Sequence, residues 1–326
     1  MKSYLVTGGA GFMGRDFIRH LLEKKETEKV ICYDAMTYAA KEENIEEFYL
    51  DTRFNFVKGD ILDRNLFRQT LQNYQIDCVV HYAAESHVDR SIEDPMIFVQ
   101  TNVLGTVSLL EVVKSNPNVH FHHISTDEVY GSLNETGFFY ETSPYQPNSP
   151  YSASKAASDH FVLAYAKTYG LSVTISHASN NYGPYQYEEK LIPKFIHHMI
   201  NKQPFPLYGT GKNIREWTYV EDHSRAVYKI IHKGTRGQVY NIGSQEEKSN
   251  LEILKDLIYI FSEKTGEEIL QLQNLVRFVT DRKGHDFRYS MDCSKIKALG
   301  FETKVSLTQG LERTIDFCIE RLRVNI

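Results

Sequence analysis

This chain has few of the features that mark a crosslinked, membrane-bound or nucleic-acid-coating protein. It has four cysteines in 326 residues. Cys32, Cys78, Cys293 and Cys318 do not approach one another at the spacing of a zinc knuckle or a redox pair, so no metal site is expected. Such sparse usage fits a reducing cytoplasm, the location expected here. No apolar run approaches the ~20 residues of a membrane span, and no secretory h-region opens the sequence, so no membrane association is expected. Excess charge of one sign is missing too. Lys and Arg number 37 against 42 Asp and Glu, a formal charge of −5, which gives no broad attraction for phosphate backbones and excludes nucleic acid as an expected partner. At 41% hydrophobic and 24% charged, the composition is that of an ordinary globular protein, and the length admits two lobes.

The first half alternates short β-rich runs with helix-length segments. The runs are Tyr4–Val6, Val30–Tyr33, Phe54–Val57, Cys78–His81, Phe121–Ile124 and Val173–Ser176; the helical segments are Phe12–Lys24, Arg64–Tyr74, Met96–Lys114 and Tyr151–Tyr169. Val103, Val107 and Leu110 repeat at i, i+4, i+7 in the third of these. Strands separated by crossover helices form a parallel sheet covered on both faces, so the expected fold is α/β and doubly wound, with a Rossmann-type nucleotide-binding lobe. After about Gly170 the pattern loosens, punctuated by Pro184, Pro193, Pro204 and Pro206. Helices are still expected at Leu251–Lys264, with Asn250 as N-cap, and at Leu307–Arg321. The expected division is a nucleotide-binding domain over 1–177 and a smaller α/β lobe over 178–326, with some segments interleaved.

Thr7-Gly8-Gly9-Ala10-Gly11-Phe12-Met13-Gly14 joins the first strand to the first helix and satisfies G-x-G-x-x-G. Glycine allows a tight turn and close backbone approach to a pyrophosphate, whose charge then lies at a helix N-terminus. A glycine triplet alone is weak; its strand–turn–helix setting is the confirming context. Asp34 ends the second strand, where a carboxylate accepts from ribose hydroxyls and repels a 2′-phosphate, favouring NAD over NADP. Arg15, directly after the last glycine, is the one residue that offers a phosphate partner instead. Asp60-Ile61, after the third strand, is a second candidate turn at the adenine edge.

Tyr151 and Lys155 stand four apart, on one helix face. A phenol near pKa ~10 is a poor base at neutral pH; bringing it to about 7 takes roughly 4 kcal/mol of differential stabilisation, which a neighbouring cation favours. Tyr-x-x-x-Lys is common by chance in a chain with 21 tyrosines. Its weight comes from Ser125-Thr126-Asp127-Glu128, which follows a strand at the sheet's carboxyl edge, where ligands bind. Two adjacent carboxyls in unlike surroundings can divide into an acid and a base.

These residues resemble the extended branch of the short-chain dehydrogenase/reductases, and within it the nucleoside-diphosphate-hexose 4,6-dehydratases. The resemblance runs nearly the full length, through Thr7–Gly14, Ala83–Ser91, Ser125–Gly131, Ser149–Lys155, Ser179–Pro184, Glu189–Pro193, Arg215–Trp217 and Asp281–Asp286. It implies an NAD-dependent hydro-lyase that oxidises C4 of a nucleotide-linked glucose, eliminates water across C5–C6 and returns hydride to C6. By resemblance, Tyr151 is the base at the 4-hydroxyl with Lys155 and Thr126 assisting, Glu128 removes the C5 proton, and Asp127 protonates the departing C6 hydroxyl. Cofactor contacts implied are Gly8, Gly11, Phe12, Met13, Gly14, Asp34, Ala35, Met36, Thr37, Asp60, Ile61, Ala83, Ala84, Thr101, Tyr151, Lys155 and Asn181. Sugar-nucleotide contacts implied are Ser86, His87, Thr126, Asn180, Lys190, Leu191, Pro206, Tyr208, Arg215, Asn250, Arg282 and His285, with dTDP-glucose or UDP-glucose as substrate. A homodimer is implied as well, with the helix carrying Ala153, Ala156, Ala157 and Ala164 as candidate interface.

Four places depart from that pattern: Glu188 for a usual Pro, Phe287 for a usual Arg, Arg15 for a small residue, and Ala40-Lys41 for Gly-Asn. None removes a catalytic group. Two other readings stay open at this point, a UDP-sugar 4-epimerase and a non-catalytic NAD-binding regulator on the same fold.

Overall fold

The structure, a computed structural model, describes residues 2–324. Seven strands form one sheet, all parallel: β1 Lys2–Thr7, β2 Thr27–Asp34, β3 Phe54–Lys58, β4 Cys78–His81, β5 His120–Thr126, β6 Val173–Ala178 and, much later in the chain, β10 Gln238–Ile242. Their order is β10-β6-β5-β4-β1-β2-β3. The order reverses between β1 and β4, and this switch point leaves a crevice at the strands' carboxyl ends.

Alternation along β1 explains the layering. Tyr4 and Val6 face one core with Phe17, Ile18 and Ile230, while Leu5 faces the other with Phe67, Leu109, Val113 and Val162. Each such wholly buried side chain stabilises the fold by about 1.5–3 kcal/mol. The main helices are α1 Phe12–Leu22, α2 Arg64–Tyr74, α3 over Pro95–Lys114, α4 Pro150–Tyr169, α5 Leu191–Ile200, α6 Val220–Lys233, α7 Asn250–Thr265 and α8 Leu307–Val324. A third core, around Phe195, Trp217, Leu254, Leu257 and Leu311, lies under α5, α7 and α8. There β7 Asn180–Tyr182, β9 Ile214–Tyr219 and β11 Glu247–Ser249 form a small mixed sheet, and β8 Phe205–Tyr208 pairs with β12 Val276–Val279.

Several expectations need correction. The α7 cap is Ser249 rather than Asn250: Ser249 Oγ accepts from Glu252 N while the Glu252 carboxylate accepts from Ser249 N, a capping box that places Asn250 inside the first turn. In α3 a π-helical turn over Val99–Gly105 shifts the helical phase. Val103 and Val107 are therefore only half-buried, and the buried face runs instead through Asn102, Thr106, Leu109, Leu110 and Val113. That helix is also the exception to the absence of long apolar runs: an 18-residue window within its 20 residues reaches a mean hydropathy of 1.6, enough by length and composition to cross a membrane. Here it packs against α2 and α4, with half of its apolar window buried. It carries polar groups that need protein partners, with Asn102 Nδ2 donating to Glu85 O and to Ser154 Oγ.

Candidate active site

The crevice at the switch point is a cavity of about 360 Å³. At one end the β1–α1 turn supplies its wall. Gly8 has φ +68°, and a Cβ on Gly14 would lie 2.3 Å from Gly8 O, so only glycine lets strand and helix approach this closely. No side chain caps α1, so its first N–H groups are left toward the crevice as an anion cradle. Asp34 lines the cavity 7% exposed; its two oxygens accept from Ala10 N at 2.9 Å and Met36 N at 2.8 Å, and each retains a second lone pair. A 2′-phosphate would confront this carboxylate, so the chain's own residues fit NAD and disfavour NADP.

Arg15 does not compete for the phosphates. It is buried beside Asn44 and Glu47, its Nε donating to Asn44 O at 3.1 Å and its guanidinium 3.7 Å from the Tyr185 ring centroid.

At the other end β5 delivers Thr126, the 3-10 turn Asp127–Tyr130 that follows it delivers Asp127 and Glu128, and α4 delivers Tyr151 and Lys155; all five line the same cavity. α4 starts cleanly because Ser149 and Ser152 form a reciprocal cap with Pro150 in the first turn. Asp127 is 2% exposed. Its Oδ1 accepts from Thr126 Oγ at 3.2 Å, and its Oδ2 is buried with no hydrogen-bond partner among the described residues. Burial, then Glu128 and Glu216, push its carboxyl well above the usual range. Glu128 differs. Burial pushes it up too, but Arg215, Lys190 and Arg282 oppose that shift. Beyond burial, acids head the charges acting on the first carboxyl and cations those acting on the second, so the two divide into a protonated acid and a base candidate.

The expected tyrosine–lysine coupling takes another form. Lys155 Nζ donates to Ile124 O at 2.7 Å, and burial lowers its ammonium to about 8. Burial and the Glu128 carboxylate raise the Tyr151 phenol, while its hydrogen bond with Thr126 lowers it. In this structure Tyr151 therefore carries its proton, and a depressed phenol is not present: the helix turn that puts Lys155 on the same face also lets its ammonium reach a strand carbonyl.

Of the residues expected at the cofactor, only Met36 does not line the cavity; at φ +56° it shapes the turn that lets its N–H reach Asp34. Among those expected at the substrate, Ser86, Thr126, Asn180 and Lys190 line it, Lys190 Nζ donating to Ser86 O at 2.7 Å. His87, Leu191, Pro206, Tyr208, Arg215, Asn250, Arg282 and His285 do not. Three of these gather alongside, where Arg282 Nη2 donates to Asp89 at 2.8 Å and Tyr208 lies against both Arg282 and His285. Arg215 is buried over the Tyr289 ring and donates to Asp286 O, not a surface ion pair. Leu191 opens α5 and Pro206 sits within β8. Residues not anticipated include Glu85, Ser125, Ser179, Gln186, Tyr187 and Glu189, all lining the cavity. Four of these fall inside motifs already singled out, so position beside a marked residue was the available signal.

A Rossmann crevice with a glycine cradle, a ribose-facing carboxylate and a Tyr–Lys helix beside its mouth defines an extended short-chain dehydrogenase/reductase. The family model for GDP-mannose 4,6 dehydratase matches residues 5–314. A dTDP-glucose 4,6-dehydratase of Haemophilus influenzae is 48% identical over 97% of each chain. The crystal structure of DesIV, a dTDP-glucose 4,6-dehydratase of Streptomyces venezuelae with NAD bound, superposes with a TM-score of 0.92 at 43% identity, covering 99% of this chain and 98% of that one. A UDP-glucose 4-epimerase of Thermotoga maritima shares the fold at a TM-score of 0.87, with 28% identity over 98% of this chain and 99% of its own. The chain belongs to the dTDP-glucose 4,6-dehydratase family.

Proposed function

We propose that this chain is a dTDP-glucose 4,6-dehydratase that uses NAD and turns its substrate into a 4-keto-6-deoxy sugar nucleotide. The observation that carries this is the division of neighbouring carboxyls, Asp127 among acids and Glu128 among cations, in the cavity that also holds Tyr151. Returning a hydride to C4 needs no such pair, which weighs against the epimerase; a regulator would need neither the pair nor the Tyr–Lys helix. Bound NAD⁺ supplies the acceptor for the C4 hydride and, once reduced, its return to C6. Tyr151 takes the proton of the 4-hydroxyl in its phenolate form, a state that burial and Glu128 oppose and its hydrogen bond with Thr126 favours. The 4-ketone acidifies C5–H, and Glu128 removes that proton. Asp127 gives its proton to the C6 hydroxyl, which leaves as water, and C5 is reprotonated as C6 regains the hydride. Incubation with dTDP-glucose, with UDP-glucose in parallel, and NMR of the product test the reading. A 6-deoxy-4-keto product from dTDP-glucose is expected, whereas a galactose epimer or unchanged sugar from both nucleotides sinks it.

Residues 1–177 are assigned to cofactor binding and 178–326, with β10 and α6 returned to the sheet, to covering the sugar nucleotide. Lys190, Arg215 and Arg282 are assigned to the diphosphate as the cations around Glu128. Four free, buried cysteines agree with a reducing cytoplasm.

The partner is assigned as a second copy of the chain. α3 and α4 pack side by side and leave Met96 68%, Leu104 54% and Phe161 42% exposed. Ala153 and Ala164 are exposed on α4, Ala157 is half-buried, and Ala156 is used within the chain's own core. An apolar surface on two adjacent helices suits a helix-bundle interface rather than a membrane. Leu104→Glu combined with Phe161→Glu is expected to halve the mass seen by sedimentation; a wild-type protein that sediments as a monomer ends this assignment.

A further inference from the structure

One turn beyond Lys155, on the same helix, stands a carboxylate that the chemistry above does not use. Tyr151, Lys155 and Asp159 occupy i, i+4 and i+8 of α4, so one face carries a phenol, an ammonium and a carboxylate in succession. Asp159 is 0% exposed, and a buried carboxylate persists only where partners replace its hydration. Two strands supply them. From β5, Ser125 Oγ donates to Asp159 Oδ2 at 2.9 Å, and His123 Nε2 lies 3.4 Å from Oδ1. From β6, His177 Nε2 lies 3.0 Å from Oδ2. The same nitrogen is 3.1 Å from the Tyr145 hydroxyl in the loop before α4, and Tyr130 bonds the other ring nitrogen at 2.6 Å. Behind His123 stands His81 of β4, the ring centroids 5.2 Å apart. From the mouth of the cavity Asp127 and Glu128 face Tyr151.

Burial holds His123 down to about 4 and His81 well below its ordinary value, so near pH 7 neither ring neutralises the carboxylate. Asp159 itself is held below the ordinary Asp range by the neighbouring His123 ring and its hydrogen bond with His177, against the upward push of burial. Lys155 is the cation on this helix face; burial lowers it to about 8, and the Asp159 charge opposes that lowering. Acting directly on Tyr151, Asp159 raises the phenol; any help it gives the base must therefore pass through Lys155.

We propose that Asp159 is a positioning residue, a buried counter-charge secured by Ser125, His123 and His177 that keeps the Lys155 ammonium protonated in the cavity. The inference rests on the dehydratase reading of the Tyr151–Lys155 site, but its readout needs no turnover. In the holoenzyme with 13C-labelled lysines, the Lys155 signal is identified by its loss in Lys155→Met and titrated. Asp159→Asn is expected to lower the Lys155 midpoint by about one pH unit or more, a tenfold or greater loss of proton affinity. Asp159→Glu is expected to restore it to within about a few tenths of a unit, and the alkaline fall of kcat is expected to move with the midpoint while KM stays put. A folded Asn variant with an unshifted Lys155 midpoint overturns the proposal. Should that variant fail to fold, the wild-type protein carries the test: the Asp159 carboxyl carbon is expected to keep its ionised chemical shift at every pH above the ordinary Asp range near ~3.9, and a protonated carboxyl at neutral pH overturns the proposal. A shifted midpoint together with no dehydratase product would sink the substrate assignment and leave the Asp159–Lys155 coupling standing.

Discussion

Tyr151→Phe is expected to lower kcat by about 10²–10⁴-fold, the usual worth of a positioned proton acceptor, while leaving cofactor content unchanged. The substitution is close to a single-atom test. Tyr151 is 9% exposed and packs edge-on to Phe98 at 6.3 Å, contacts that a phenylalanine ring keeps. What disappears is the hydroxyl and its hydrogen bond with Thr126. C4 cannot lose hydride while its hydroxyl keeps the proton, so the first half-reaction should fail and no reduced cofactor should appear on adding the sugar nucleotide. Stopped-flow absorbance of the cofactor checks this without relying on product. Reduced cofactor forming at the wild-type rate would remove Tyr151 from the proton path and return attention to Thr126.

What could be read in the sequence follows from how local the cause is. The strand–glycine–helix turn depends on about eight consecutive residues whose steric needs are absolute, and the structure bears them out at Gly8 and Gly14. Parallel strands buried on both faces are short apolar runs, so all six early strands were legible to within a few residues at each end. The seventh, Gln238–Ile242, joins the sheet beside β6 from 60 residues away, and nothing local tells a strand which neighbour it will find. The same limit applies to side chains. Arg15 follows the glycines in sequence but is claimed by Asn44, Glu47 and Tyr185. Asp159 looks like an ordinary polar residue on a helix until β5 and β6 bring Ser125, His123 and His177 against it. The π-helical turn in α3 is a tertiary adjustment that no i, i+4 count anticipates.

The adjacent acids give the second large effect, and here two substitutions must fail in different ways. Asp127→Asn keeps the shape and the acceptor from Thr126 but has no acidic proton to give, so elimination of water is expected to slow by about 10²–10⁴-fold while oxidation at C4 proceeds. Reduced cofactor should then accumulate with a 4-keto sugar that retains its 6-hydroxyl, and in deuterated water C5 should still exchange its proton through Glu128. Glu128→Gln should abolish that exchange, because the group that Arg215, Lys190 and Arg282 surround is gone. The pH dependence follows from the same asymmetry. Asp127 works as the protonated acid, and its carboxyl is raised by burial and by Glu128 and Glu216. Its contribution is therefore present at pH values below that raised pKa and is lost as pH climbs through it, so the elimination step should decline on the alkaline side. In Asp127→Asn that decline should vanish from the residual elimination rate, leaving the oxidation step with the alkaline dependence that Lys155, lowered to about 8, imposes. Equal slowing of oxidation and elimination in Asp127→Asn would mean that the carboxyl supports the site as a whole, and the acid assigned to C6 would have to be sought elsewhere.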